Sequence, residues 1–165
     1  MYSIHDKVMH PTEGACYIEE IMTMAVDSKD KEYYKLVPIL NEKSSVFLPV
    51  TSQISGRIRL VASPDELSDL LTKLEELDIE WIADSKTRLF ACANSIKSGD
   101  FFEIASLVKM MLLQEFEKPL GSKDRDFLNK AQKLIFSEIA IVQSRPYEDI
   151  LSETKKWLVA DMQTQ

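Results

Sequence analysis

The period of the apolar residues changes once along this 165-residue chain, at Ser63-Pro64, and that switch limits the folds open to it. Before it, apolar and polar residues alternate in short runs rich in β-branched and aromatic side chains, the period-two pattern of half-buried strands. After it, leucine, isoleucine and methionine recur every three or four residues, the pattern of amphipathic helices. The spacing predicts an α+β chain, with a β module over residues 1–62 and a helical module over 63–165.

The opening, Ile4-His5-Asp6-Lys7-Val8-Met9-His10-Pro11-Thr12-Glu13-Gly14, reads as a short strand and a turn leading into a long second strand that ends near Val26. Strands are expected near 6–10, 13–26, 31–40, 44–50 and 57–62. Asp27-Ser28-Lys29-Asp30 is a polar hairpin turn and Asn41-Glu42-Lys43 makes the next one. Pro38 and Pro49 cannot donate ladder hydrogen bonds, which confines them to strand ends, edges or bulges. Short bent strands of this kind build a small barrel of the SH3/Tudor type.

The helical part begins with a strong start signal. Ser63-Pro64-Asp65-Glu66 supplies a capping serine, proline at the first helical position and a capping-box glutamate. Leu67, Leu70, Leu71, Leu74 and Leu77 mark one apolar face. A second helix is expected from about Ile82 to Lys97, stopped by Ser98-Gly99. Asp100 and Glu103 should cap a third, with Ile104, Leu107, Val108, Met111 and Leu112 on its face. Ser122 can cap a fourth, which buries Phe127 through Val142. A fifth should start near Pro146 and present Ile150, Leu151, Trp157 and Leu158. About five helices then form a bundle.

With 27 acidic against 20 basic side chains, the net charge of −7 disfavours avid, non-specific binding of nucleic acid. The imbalance sits in residues 1–79, with 8 Lys+Arg against 14 Asp+Glu. An acidic barrel suits a protein partner, and the more balanced helical part leaves room for a local basic face. No apolar run reaches the roughly 20 residues that cross a bilayer, and no basic-then-apolar leader opens the chain. A cytoplasmic protein without a membrane partner is expected, and a monomer.

Catalytic signals are absent. No GxGxxG, GxxxxGK, GxSxG or HExxH occurs. Cys16 and Cys92 lack partners at metal-ligand spacing and read as two reduced, buried thiols. His5 and His10 flank the first strand without a nearby nucleophile. No catalytic residue, metal or cofactor is therefore assigned.

Several segments, in order, resemble the CarD family of bacterial transcription regulators, whose first module is shared with transcription-repair coupling factor. Residues His5 to Gly14 resemble that family's GD–x–V–V–Y–P–x–x–G opening, with His5 in place of glycine and His10 in place of tyrosine. Lys31-Glu32-Tyr33-Tyr34-Lys35-Leu36 is similar to its K–x–Y–Y–x–L strand, and Val46-Phe47-Leu48-Pro49-Val50 to its V–x–I/V–P–V strand. Lys97-Ser98-Gly99-Asp100 and Ala131 to Ala140 match the break and the helix of its second module.

The resemblance implies a Tudor-like module that docks on the β subunit of RNA polymerase, and a helical module set against promoter DNA within the polymerase complex. On the barrel it points to Met24, Tyr33, Phe47 and Pro49; Phe47 serves either as an anchor or as barrel core. On the helical side similar members wedge a tryptophan into the minor groove near the position of Ser85. Here that tryptophan is missing. Lys86 and Arg88 are the candidate phosphate contacts, and Trp81 either replaces the wedge or packs between the first two helices. DNA contact is expected to be weak. The alternative is a Tudor/SH3-like adaptor that binds protein and never reaches DNA.

Overall fold

The structure, a computed structural model, describes residues 1–51 and 58–154. Five strands form one antiparallel sheet: β1 (Lys7–His10), β2 (Gly14–Val26), β3 (Lys29–Pro38), β4 (Val46–Pro49) and β5 (Arg59–Leu60), in the order β4-β3-β2-β1-β5. Four helices follow: α1 (Pro64–Glu76), α2 (Ser85–Ser98), α3 (Phe101–Glu117) and α4 (Ser122–Gln143). A fifth, α5, is helical over 147–154. Of the residues expected on its face, Trp157 and Leu158 lie outside the described residues.

The sheet curls around a core of Val8, Cys16, Ile18, Tyr34, Leu36, Leu48 and Ile58. Strands at opposite edges contribute to the same cluster because the sheet is strongly bent. Tyr2 spans the gap between them: its ring meets Tyr34 edge-on at 5.9 Å, and its hydroxyl donates to the Ile58 carbonyl at 2.9 Å. The β2–β3 hairpin is tighter than the sequence suggests. Val26 pairs with Lys29, and Asp27 and Ser28 both take positive φ (53° and 62°), the two-residue geometry whose twist suits a hairpin. Pro38 and Pro49 end their strands. His5, at the glycine position of the family's opening, has φ 74° and pays for that conformation with an N–H bond to the Ile18 carbonyl at 2.8 Å.

The helical part differs from the sequence expectation at two starts. Residues 78–84 are not helical, and α2 begins at Ser85, because Asp84 accepts from the Thr87 N–H at 2.9 Å and so stands outside the helix as its cap. Helix α4 is capped by Gly121, and Ser122 is its first residue instead of its cap. Asp100 caps α3 as expected by accepting from the Glu103 N–H at 2.9 Å. The Glu103 carboxylate reaches Ser98 instead of closing the box, accepting from its hydroxyl at 2.8 Å.

Barrel and bundle share a core: Met9 and Ala15 belong to the same buried cluster as Leu67, Met111, Phe136 and Ile139. Helix α4 makes the contact. Gly14 (φ +79°) lies so close to it that an added Cβ would stand 2.6 Å from the Ser137 Oγ, the atom that accepts from the Ala15 N–H at 3.0 Å. The next residue, Glu138 (1% exposed), takes both guanidinium arms of Arg59, at 2.7 and 2.8 Å, and the Ala62 N–H at 2.9 Å. Glu138 is thereby satisfied by the segment that leads out of the barrel. Within the bundle, buried Lys109 of α3 donates to the Leu74 and Leu77 carbonyls, both at 2.8 Å, and so closes the C-terminal end of α1.

The turn after β1 depends on an unprotonated imidazole. His10 Nδ1 accepts from the N–H groups of Thr12 (3.2 Å) and Glu13 (3.1 Å). Burial holds His10 below its ordinary 6.5; Glu13 opposes this and Lys133 adds to it, each more weakly. The unfolded chain therefore takes up this proton at higher pH than the folded one. The contribution is intact above about pH 6.5 and is lost as pH falls through the lower folded value. The thermal midpoint of the native chain should decline from about pH 7 to 5, above the carboxylate range, and the decline should be shallower in His10→Asn. Equal slopes in the two proteins would rule this contribution out.

Candidate functional site

Strand alternation sorts the barrel's side chains onto two faces. On β3, Tyr34, Leu36 and Pro38 are buried, so Tyr33, Lys35 and Val37 point outward. The ladder carries that outer face across three strands: Tyr33 lies opposite Pro49 and Met22, Lys35 opposite Phe47, and Lys31 opposite Met24. The residues named from sequence, Met24, Tyr33, Phe47 and Pro49, thus share one surface, and Met22 joins them. Phe47 is 45% exposed and is not barrel core; Leu48 beside it fills that role. Charge rims the patch, with Lys35 and Glu19 paired at 2.7 Å. Apolar centre and charged rim are the usual anatomy of a protein-binding surface, where methionine and aromatics are enriched.

Two edges border this face. Strand β4 is an outer strand of only four residues, and beyond Ile18 the long β2 has left the β1 side of the sheet. Among the described residues no further strand pairs with either edge, and an edge of this kind can take an additional strand.

The four residues named on the helical side do not form one site. Ser85 and Lys86 are exposed on the first turn of α2. Arg88 turns inward and is 9% exposed. Its Nε and Nη2 bind the two oxygens of Asp124 at 2.9 and 3.0 Å, and its Nη1 donates to the Ile82 carbonyl at 2.8 Å. This guanidinium locks α2 to α4 and holds the segment before α2, so the expected phosphate contact is corrected to an internal one. The spacing that suggested it was sound, but the acid that engages it lies 36 residues away, beyond what a local pattern can reveal.

Trp81 sits in the non-helical approach to α2, half-buried against the bundle core, with the Arg88 guanidinium 4.3 Å from its ring centroid. One face of the indole is covered by a cation that is itself held by Asp124. Trp81 thus packs between the bundle core and a guanidinium. Sequence reasoning passed over Phe90, which is 69% exposed on α2. Its signal was its angular position: it lies opposite the buried Arg88, Cys92 and Ser95.

Both cysteines are buried, Cys16 in the barrel and Cys92 in α2. Burial pushes the Cys16 thiol up to about 12 and the Cys92 thiol up to about 11, far from the thiolate a nucleophile needs. Among the described residues no group of three or more His, Cys, Asp or Glu could hold a metal ion, and no helix is long and apolar enough to cross a membrane. An apolar cavity of about 590 Å³ lies between α1, α3, α4 and α5, with Leu67, Val108, Ile139 and Ile150 in its wall.

Comparison with known proteins matches the chain in two parts. Residues 2–61 match the CarD-like/TRCF RID domain, and residues 69–155 match the CarD C-terminal domain. Over 152 residues the chain is 23% identical to "Putative transcription factor YdeB" of Bacillus subtilis (strain 168), spanning 92% of this chain and 99% of that protein.

Trp81→Ala should lower unfolding free energy by about 2–3 kcal/mol in urea titration, less than a fully buried tryptophan because the side chain is only partly buried. An unchanged midpoint would mean that Trp81 contributes nothing to packing and is free for other contacts.

Proposed function

The chain belongs to the CarD family of transcription regulators, and from that premise we propose that its barrel binds the β subunit of RNA polymerase while its helical part adjusts the promoter open complex. The observation that carries the reading is the outer face of β2, β3 and β4. Met22, Met24, Tyr33, Phe47 and Pro49 form an apolar surface on a curved sheet whose outer strand β4 pairs on one side only among the described residues, inside residues 2–61, which match the CarD-like/TRCF RID domain. A strand of the partner laid along that edge would gain backbone hydrogen bonds, and the aromatic and methionine side chains would supply the buried area.

DNA contact on this reading is weak and depends on the polymerase. With Arg88 engaged by Asp124, Lys86 is the one expected phosphate contact that stays exposed, and each phosphate contact adds only about 0.9 to the slope of log affinity against log salt. The net charge of −7 opposes free duplex DNA as well. The chain alone is therefore read as a poor DNA binder that acts where polymerase holds it near the promoter.

Phe47→Arg tests the docking face. Placing a charge at its centre should weaken capture of the polymerase about tenfold or more, as for an interface hot spot, with the thermal midpoint unchanged. Undiminished capture of the β subunit by this variant would remove the face from the interaction.

A further inference from the structure

Protein interiors pack about as densely as organic crystals, and voids larger than a water molecule are few. The helical part nevertheless encloses a cavity of about 590 Å³, a size typical of small-molecule sites. Four helices build its wall, with Leu67 and Leu71 of α1, Val108 of α3, Phe136 and Ile139 of α4, and Ile150 of α5. The polar side chains of the lining gather at its rim, where Ser68, Thr72, Glu75, Gln143, Arg145 and Glu153 are all exposed. The Arg145 guanidinium is engaged by the Glu153 carboxylate. The ammonium of Lys109, buried in the wall, donates to the carbonyls of Leu74, Glu75 and Leu77 at 2.8, 3.2 and 2.8 Å. Among the described residues both cations of the lining are thus engaged, and the chamber combines an apolar depth with a rim of hydroxyls, an amide and acids.

We propose that this chamber binds a small uncharged amphiphile, a molecule with an aliphatic or aromatic body and a single hydroxyl or carbonyl group. The body lies among the leucine, isoleucine and phenylalanine side chains, where its surface and theirs leave water together. The head group stays at the rim. There the Thr72 hydroxyl, which donates to the Ser68 carbonyl at 3.0 Å, keeps its lone pairs for a ligand hydroxyl, and the Gln143 amide can donate or accept. Charge selects a neutral head. A carboxylate or phosphate at the rim would meet Glu75 and Glu153, and the nearest guanidinium already has its partner. The place of the chamber gives its occupant a lever on the whole molecule. Phe136 and Ile139 flank Ser137 and Glu138, the residues that seat the barrel on α4. Pro64, also in the lining, stands two residues after Ala62, whose N–H is held by Glu138. A bound molecule therefore braces the junction from the side opposite the barrel.

The test uses the full chain, with decanol and decanoate as probes, followed by calorimetric titration and by thermal unfolding. Decanol at about a hundredfold its Kd should raise the thermal midpoint by about 5 °C or more. The tyrosine and helical transitions should rise together, since the wall and the junction share α4. Decanoate should bind at least about tenfold more weakly. Leu71→Trp fills the chamber from a half-buried wall position and should abolish the decanol shift. Val142→Trp, half-buried on the facing helix, serves in its place if the first variant does not fold. Absence of saturable decanol binding overturns the site, and so does an undiminished shift in a folded, filled variant. Decanoate binding as tightly as decanol overturns the neutral head group. A rise of the helical transition alone overturns the brace on the junction.

Discussion

The Glu138 carboxylate is the interaction on which the arrangement of this molecule depends. A carboxylate left at 1% exposure without partners would cost several kcal/mol, so burying it in α4 is tolerable only where other groups complete it. Arg59 of β5, the barrel's last strand, and the N–H of Ala62, on the stretch that leads to α1, complete it. Arg59 also donates to the Gly99 carbonyl at 3.3 Å, which brings the α2–α3 corner into the same junction. With Ser137 and Gly14 in close contact beside it, the barrel is seated on α4 by hydrogen bonds that cannot be exchanged for water without leaving a charge behind.

Two further buried cations repeat the device inside the bundle. Lys109 closes α1, and Arg88 ties α2 to α4 while holding Trp81. Together these contacts decide which charged residues are free to act outward. The basic residues that look most useful in sequence are partly consumed internally, and the outer face of α2 keeps Lys86 and Lys97. The barrel's outer face, by contrast, keeps Met22, Met24, Tyr33, Phe47 and Pro49 clear of the junction, because its core side is the one turned inward.

The fold was legible in the sequence wherever local chemistry governs it. Ser63 accepts from the Glu66 N–H at 3.1 Å, as the capping signal implied, and the leucine and methionine stripes are core. The proline-ended strands and the hairpin at Asp27-Ser28 follow from turn chemistry. The start of α2 was missed because Ile82 continues an apolar pattern, while Asp84, a better cap, delays the helix start to Ser85, three residues later. The candidate site was half legible. The resemblance pointed to Tyr33, Phe47 and Pro49, and the ladder puts them on one face, but nothing near Arg88 announces Asp124, and nothing near Arg59 announces Glu138. Long-range pairing of charges is set by packing, which a single sequence does not display.

The central claim is that Glu138 joins barrel and bundle into one cooperative body. Equilibrium unfolding in urea, followed both by tyrosine signals (four of the five tyrosines precede residue 35) and by helical circular dichroism, tests it most directly. In the native chain the two curves should coincide. In Glu138→Ala the account predicts a loss of about 2–4 kcal/mol and separation of the two curves, with the barrel unfolding apart from the bundle. Coincident curves with an unchanged midpoint in that variant would contradict the account.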